Sequence, residues 1–302
     1  CPTCYYGSAR ADDIDFPTFI MLFDAIFRQG LSKPKAGIRA ILDPLTLKLK
    51  ELGVDRRMNS AVRSIQTKGN VAGEIILESG EIIRADKIIS TCGIRETESM
   101  IQENCIGPDK TKTGQFSIIE SIRVFKGHPK DFGWNETVVF FNRTDRFLYD
   151  CPKDLVDLES GVICLPDNYG TLPMSEESKL RVTHPANFHK WSELSDQKYL
   201  EEKEYWQKTL LKNALHYLPK GLKKQEELEQ RTLLLDTFTP TTIKHFTSHI
   251  NGTLYGSPTK RRDGSTRFNN LFLAGTDQGY VGIVGAMLGG IAVANNQILR
   301  KG

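Results

Sequence analysis

The residues whose types and spacing could do chemistry lie mostly in one stretch near the carboxyl end of the chain. Residues 271–274 are an apolar run that predicts a short buried strand, and the strand stops at Gly275-Thr276-Asp277. A helix is predicted to begin near Val281 or Gly282. One face of that helix is almost free of side chains, because small residues recur there at helical spacing: Gly282, Gly285, Ala286, Gly289 and Gly290.

Glycine inside a helix is unfavourable by roughly 0.5–1 kcal/mol per residue relative to alanine. The pattern therefore indicates that something must approach the main chain closely along this face. A flat ring system would meet that need, and so would a tightly packed strand or a helix-pairing seam of small residues. The residues alone do not choose between these interpretations.

The start of such a helix also has chemical consequences. Its first N–H groups are free and its dipole is positive at that end, so it favours negative charge nearby. At the pyrimidine edge of a flavin ring these donors would stabilise the reduced form. Asp277, at the end of the strand, could accept hydrogen bonds from ribityl hydroxyls or from neighbouring N–H groups.

Other reactive side chains give weaker signals. Cys1 and Cys4 have the CxxC spacing of a metal or redox site, but no second ligand pair accompanies them, which favours ordinary thiols and no metal. His245 and His249 are one helical turn apart, and Asp236 and Glu120 are conceivable acid–base groups. None of them stands out, so the catalytic residues are unknown at this stage.

The elements that would position these residues alternate between helical and β patterns. Residues 16–27 predict an apolar helix, which is either a core helix or the wall of a lipid tunnel or membrane contact. Asp43-Pro44 predicts the start of a second helix. Residues 62–90 predict a β-meander followed by a buried strand, and residues 196–218 predict a long helix. Residues 114–190 predict a mostly β region, with candidate strands at 116–125, 137–141, 161–165 and 180–184.

Four segments together resemble the phytoene-desaturase and carotenoid-isomerase group of the flavin amine-oxidase superfamily. The stretch from Leu271 through Asp277 to Leu288 is similar to the carboxyl-terminal FAD-contact motif. Residues 59–65, with the Gly69-Asn70 turn and residues 85–90 after it, are similar to the insert in which a valine touches the adenine. Residues 236–240 and 253–256 resemble the return from the substrate domain to the flavin.

This resemblance implies an α/β fold in which part of a Rossmann-like, three-layer FAD-binding domain is interleaved with a mixed-sheet substrate domain. It implies domain segments at 1–36 (substrate domain), 37–98 (FAD domain with the meander), 99–262 (substrate domain) and 263–302 (FAD contact). The implied activity is hydride transfer between flavin N5 and an apolar polyene or isoprenoid-like substrate, by desaturation, isomerisation or saturation. The implied FAD-contact residues are Val62, Gly93, Gly275, Thr276, Asp277, Gly282, Ile283 and Val284.

One part of the family pattern does not occur in these 302 residues. The strand–GxGxxG–helix unit that approaches the pyrophosphate is not found in the sequence, nor is the acidic residue for the adenosine ribose. We therefore expect an amino-terminal fragment or a partner chain to complete the FAD site. The alternative is a catalytically silent chain that keeps the fold and serves in binding or assembly.

Composition limits the remaining function classes. Forty Lys and Arg against 37 Asp and Glu leave a net charge of +3, which is too weak for a nucleic-acid-binding face. Hydrophobic residues make up 39%, and no run of 18 or more apolar residues predicts a membrane span. The sequence predicts a cytoplasmic protein, with a peripheral membrane contact through residues 16–27 as an additional expectation.

Overall fold

A computed structural model describes residues 2–7, 10, 12–101, 113–169, 176–280 and 282–299. The fold is mixed α/β, as predicted. The helices are α1 Phe16–Phe23, α2 Arg39–Glu51, α3 Ile94–Ser99, α4 Phe188–Ser192, α5 Asp196–Leu215, α6 Gln225–Arg231, α7 Pro240–Thr247 and α8 Gly282–Val293. The strands are β1 Val62–Lys68, β2 Val71–Leu77, β3 Ile82–Arg84, β4 Ile88–Ser90, β5 Ser117–Lys126, β6 Val138–Asn142, β7 Ser160–Cys164, β8 Glu177–Ala186, β9 Thr232–Phe238 and β10 Leu271–Leu273.

The largest sheet has five strands in the order β6-β7-β8-β5-β9. Every neighbouring pair is antiparallel, so the expectation of a mixed sheet in this region is wrong. Strands β6, β7 and β8 follow one another without a helical crossover, which suits antiparallel pairing, whereas β9 returns to the sheet beside β5 after helices α4 to α6. Strands β5 to β8 confirm the candidate strands of the sequence, whereas β9 was not predicted.

One face of this sheet carries the main core. Helices α5 and α6 pack there, and Leu210, Leu215 and Leu228 are almost completely buried against the strands. Helix α5 begins at Ser195, whose hydroxyl accepts a hydrogen bond from the Lys198 N–H. The apolar side chains along one side of α5 pack against the core, and this packing stabilises a long helix whose remaining surface is charged.

The second β region joins distant parts of the chain. Strands β1-β2-β3 form an antiparallel meander, and β4 pairs in parallel with β10, so that Ile88 lies opposite Leu271. Asn270 fastens the two sheets together. Its Oδ1 accepts from the Ala72 N–H at 2.8 Å, and its Nδ2 donates to the Ala72 and Asp86 carbonyls at 2.7 and 3.0 Å.

The free edge of β10 is covered by the segment that precedes it. The Leu273 N–H donates to the Gly264 carbonyl at 2.8 Å, and the Thr266 hydroxyl donates to the Leu271 carbonyl at 2.5 Å. Since those groups point away from β4, residues 264–266 stand where a third parallel strand would pair.

The first helical segment is strongly apolar and mostly uncovered. Asp15 caps α1 by accepting from the Thr18 N–H at 2.8 Å, and the helix continues as a π-helix over Asp24–Gln29. Leu22 is its buried residue, whereas Phe16 and Phe27 are 73% and 55% exposed. The helix was predicted correctly, but its interpretation as a core helix is wrong.

Helix α2 begins earlier than Asp43-Pro44 predicted. It starts at Arg39, so Pro44 lies inside the helix. The first turn is already formed by hydrogen bonds from residues 40–42 to the carbonyls of Gly37 and Ile38. Pro44 then forfeits only one backbone hydrogen bond of a helix that continues on both sides.

No helix in the described part of the chain combines the length and apolar character needed to cross a membrane.

Candidate cofactor site

The parallel strands β4 and β10 end side by side, and the candidate site begins there. After β10, Gly275 takes a φ of 110°, which is open only to glycine, and its N–H donates to Gln278 Oε1 at 3.0 Å. Gln278 is fully buried, and residues Thr276–Gln278 form a single 3₁₀ turn. This turn aims the chain from the sheet into α8.

Asp277 holds the turn against two other segments. It is 2% exposed, and its carboxylate accepts from the Ile94 N–H at 2.7 Å and the Ser257 N–H at 3.1 Å. Lys260 Nζ lies 3.2 Å from the same carboxylate. The carboxylate oxygens of Asp277 are thus bonded to two backbone N–H groups and to Lys260, so Asp277 holds neighbouring segments in position. A direct contact between Asp277 and a cofactor stays a prediction.

Two glycines make this arrangement fit. A Cβ on Gly256 would lie 2.8 Å from Asp277 Oδ1, and a Cβ on Gly93 would meet Asp277 and overlap Glu96 Oε2. Both glycines have positive φ, 63° and 107°. Gly93 therefore serves as the turn through which β4 enters α3 beside Asp277.

The glycine face of α8 is only partly open. A Cβ on Gly285 would lie 2.9 Å from the Tyr280 carbonyl carbon, and one on Gly289 would overlap Gln278 Oε1. Gly282 and Gly290, by contrast, have no atom within 4 Å of the Cβ position. Two glycines thus let the helix pack on its own preceding turn, and the expectation of a uniformly bare face is wrong.

The open main chain lies at the strand end and at the start of the helix. The Gly275 Cβ position meets only the Thr91 carbonyl, at 3.8 Å, and Gly282 meets nothing. Ile283 and Val284 follow with 42% and 67% exposure. The start of α8 therefore combines an open Cβ position and exposed apolar side chains with the free N–H groups of a helix start.

The structure groups most of the predicted contact residues. Gly93, Gly275 and Thr276 lie with Asp277 at the ends of β4 and β10, and α8 starts just beyond them. Val62 belongs to a different sheet, because it begins β1 and pairs with Leu77 in the meander. Its predicted contact with adenine remains untested.

The basic cluster at residues 260–262 reads in the sequence as an exposed turn, and that interpretation is wrong for Lys260. Its side chain is 14% exposed, and Nζ donates to the Tyr255 carbonyl at 2.9 Å as well as to Asp277. Arg261 and Arg262 are exposed. A positive charge beside Asp277 is the reason that this carboxylate can be buried.

The conceivable acid–base groups are engaged elsewhere. Glu120 forms an ion pair with Arg181, and Asp236 bonds to Lys203 Nζ at 3.1 Å, which lowers the pKa of the Asp236 carboxyl. His249 Nδ1 bonds the Thr253 carbonyl at 2.8 Å, while His245 lies in α7.

The cysteine pair gives no active thiol within the described chain. Burial raises the pKa of the Cys4 thiol well above its ordinary value, which makes it a poor nucleophile. Cys1 lies outside the described residues. No group of three or more His, Cys, Asp or Glu side chains in the described ranges is arranged to hold a metal ion.

Sequence reasoning missed three residues that build the site. Gln278 fixes the turn, Asn270 joins β10 to the meander, and Glu96 Oε1 accepts from the Ile250 N–H at 2.8 Å. Each acts through side chain–backbone bonds to residues far away in the sequence or across a turn. Spacing patterns carry no signal for such contacts.

Comparison with known proteins places this geometry in a family. Residues 8–297 match the flavin containing amine oxidoreductase family, which is nearly the whole chain. The chain therefore belongs to that family. No curated protein sequence matches it.

Several solved structures are similar at low identity. The PF1083 protein of Pyrococcus furiosus shares 15% identity, with 88% of this chain and 54% of that chain covered, at a TM-score of 0.48. Cyclohexylamine oxidase from Brevibacterium oxydans shares 12%, with 86% and 55% covered, at a TM-score of 0.48. PqsL of P. aeruginosa shares 12%, with 90% and 59% covered, at a TM-score of 0.36. The chain spans between about half and three-fifths of the length of these proteins.

Proposed function

We propose that this chain forms the flavin-contact and substrate-binding part of a FAD-dependent oxidoreductase of the desaturase, isomerase or saturase type. The single observation that carries the proposal is the open main chain at Gly275 and Gly282, where two parallel strand ends meet a helix start. When bound there, the flavin would supply hydride acceptance or donation at N5.

The residues present fit a planar ring at that point. The Cβ positions of Gly275 and Gly282 are open, and the buried Asp277 and Gln278 hold the turn in place. The N–H groups and dipole of the first turn of α8 favour negative charge on a ring edge lying against them. Gly285 and Gly289 do not take part, because they are closed by Tyr280 and Gln278.

An apolar polyene or isoprenoid-like substrate is supported by the surface around this point. Helix α8 exposes large apolar side chains: Ile283, Val284, Met287, Leu288 and Ile291. Hydride transfer to or from a hydrocarbon requires orientation and exclusion of water more than acid–base groups. The engaged state of Glu120 and Asp236 agrees with that chemistry.

A further polypeptide is proposed to complete the FAD site by supplying a strand–GxGxxG–helix unit. Helices α2 and α8 both present exposed apolar rows, and α2 has no buried residue at all. Because residues 264–266 cover the edge of β10, the added strand is proposed to pair with the other edge of the two-stranded sheet, along β4.

A peripheral membrane contact is also proposed, through α1 and the π-helix that continues it. The rings of Phe16, Phe19, Phe23 and Phe27 form a continuous row with centroid separations of 6.5, 6.0 and 4.9 Å. All four side chains are at least 41% exposed. Such a row on a helix surface suits insertion into a lipid interface.

Reconstitution with FAD tests the proposed enzyme. The protein from its native source should carry a visible flavin absorbance band, or gain one on addition of FAD, and that band should bleach or recover on anaerobic addition of an apolar polyene. A colourless protein that gains no flavin under any of these conditions would overturn the proposal and favour a role in binding or assembly.

A further inference from the structure

A cavity of about 160 Å³ lies between α3 and residues 261–273. Its lining includes none of the eight residues predicted to contact FAD. Three positively charged side chains face it against one negatively charged side chain; these are Arg95, Arg261, Arg267 and Glu98. The charge balance favours an anionic occupant.

Arg95 has spare hydrogen-bonding capacity inside the protein. Its side chain is 13% exposed, and Nη1 donates to Glu98 Oε2 at 2.8 Å. Its Nε is buried and has no hydrogen-bond partner among the described residues. A guanidinium carries five N–H donors, and those not bonded to Glu98 remain available, so an acceptor group on a ligand in the cavity would be stabilised here.

The remaining lining residues indicate what kind of group would be attached to the anion. Arg267 lies over the ring of Phe268, with its Cζ 4.4 Å from the ring centre. Stacking uses the flat face of a guanidinium and leaves its edge donors available. Leu271 and Leu273 complete an apolar floor beside the ring. An apolar cavity of about 150 Å³ holds a benzene-sized molecule, so this one has room for a single ring.

We propose that this cavity binds a small organic anion, namely a carboxylate attached to an apolar body about the size of one six-membered ring. The carboxylate would accept hydrogen bonds from Arg95, with Arg267 at the other side, in the charge-assisted geometry that guanidinium groups provide. The ring would lie on Phe268 and the two leucines. Neither a neutral ring nor an inorganic anion offers both halves of this match.

Titration of the intact chain with benzoate, followed by ligand-observed NMR and calorimetry, tests the site. Benzoate should bind saturably, while benzamide and inorganic phosphate should bind at least tenfold more weakly. Arg95→Met should weaken benzoate binding at least tenfold. Arg84→Met is the matched control, because Arg84 is 74% exposed in the meander and does not line the cavity.

Two further variants keep the test decisive if Arg95→Met fails to fold. Arg267→Gln changes an exposed side chain, and Ile101→Phe adds bulk to the lining; both should weaken benzoate binding. The proposal is overturned if benzoate does not saturate, if benzamide or phosphate binds as tightly, or if the lining variants bind benzoate like the wild type.

Discussion

The antiparallel unit and the candidate cofactor region differ in how much apolar surface they bury. The five-stranded sheet with α5 and α6 buries a continuous core that includes Trp134, Trp191 and Leu210. The β4–β10 pair has a small core of its own, and α8 beside it is apolar on all sides with most residues exposed. The first region buries its large apolar side chains in one core, whereas the second leaves much of its apolar surface exposed.

The largest expected difference between the two regions is in the free energy of unfolding when one leucine of each is replaced by alanine. Leu210→Ala should lower the free energy of unfolding by about 2–5 kcal/mol, because a fully buried side chain leaves a cavity. Leu288→Ala removes a side chain that is 52% exposed, and its effect should stay within about 0.5 kcal/mol. Urea unfolding followed by circular dichroism measures both. Equal losses would break the comparison.

The buried histidine of the antiparallel unit should make that unit sensitive to acid. Burial lowers the pKa of His184 to about 4, from an ordinary value of 6.5. Between those values the unfolded state binds a proton that the folded state does not, so stability falls as pH falls, by about 3 kcal/mol in all. Above pH 6.5 both states are neutral and the contribution is constant.

The pH dependence can be assigned to this residue by substitution. His184→Gln should flatten the loss of unfolding free energy between pH 6.5 and 4, whereas His216→Gln, at an exposed position, should leave it unchanged. The same pH slope in both variants would show that His184 is not the titrating group.

Alanine substitutions at two neighbouring glycines test which positions of α8 are closed by packing and which are open. Gly289→Ala should destabilise the region by about 1–3 kcal/mol, since Gln278 must leave its bond to the Gly275 N–H. Gly290→Ala meets open space and should stabilise the helix by about 0.5–1 kcal/mol. Calorimetric melting of the pair checks this, and effects of one sign at both positions would contradict the packing described.

The exposed row of Phe16, Phe19, Phe23 and Phe27 predicts binding to lipid vesicles. Vesicles with anionic lipid should bind the protein, and the double change Phe19→Ser with Phe23→Ser should lower partitioning at least tenfold, because each exposed ring loses its transfer to lipid. Phe246→Ser is the control, as Phe246 is 72% exposed in another helix. Binding that survives the double change would place the lipid contact elsewhere or remove it.

Much of the fold could be predicted from local pattern. Alternation predicted the meander, segments separated by turn residues predicted β5 to β8, and the apolar run at residues 271–274 predicted β10. The antiparallel arrangement and β9 were missed because pairing is decided by contacts between distant strands. Pro44 misled because a helix tolerates one missing hydrogen bond when its first turn has already formed.

The candidate site could be predicted only in outline. Gly275, Asp277 and Gly282 were found from a strand, a turn and a helix in sequence order. The closed positions Gly285 and Gly289 were not distinguishable from the open ones, because Gln278 and Tyr280 fold back on the helix through the turn. The partnership of Lys260 with Asp277 likewise depends on tertiary contact.

The central claim is that a planar ring lies against the main chain where β10 passes into α8. Lumiflavin, which has the ring without the ribityl phosphate chain, tests it by fluorescence titration. The chain should bind lumiflavin saturably, and Gly282→Val should weaken binding at least tenfold. Gly53→Val, which has a similar φ of 68° and equally open surroundings, should leave binding unchanged. No saturable binding, or equal binding by both variants, would contradict the account.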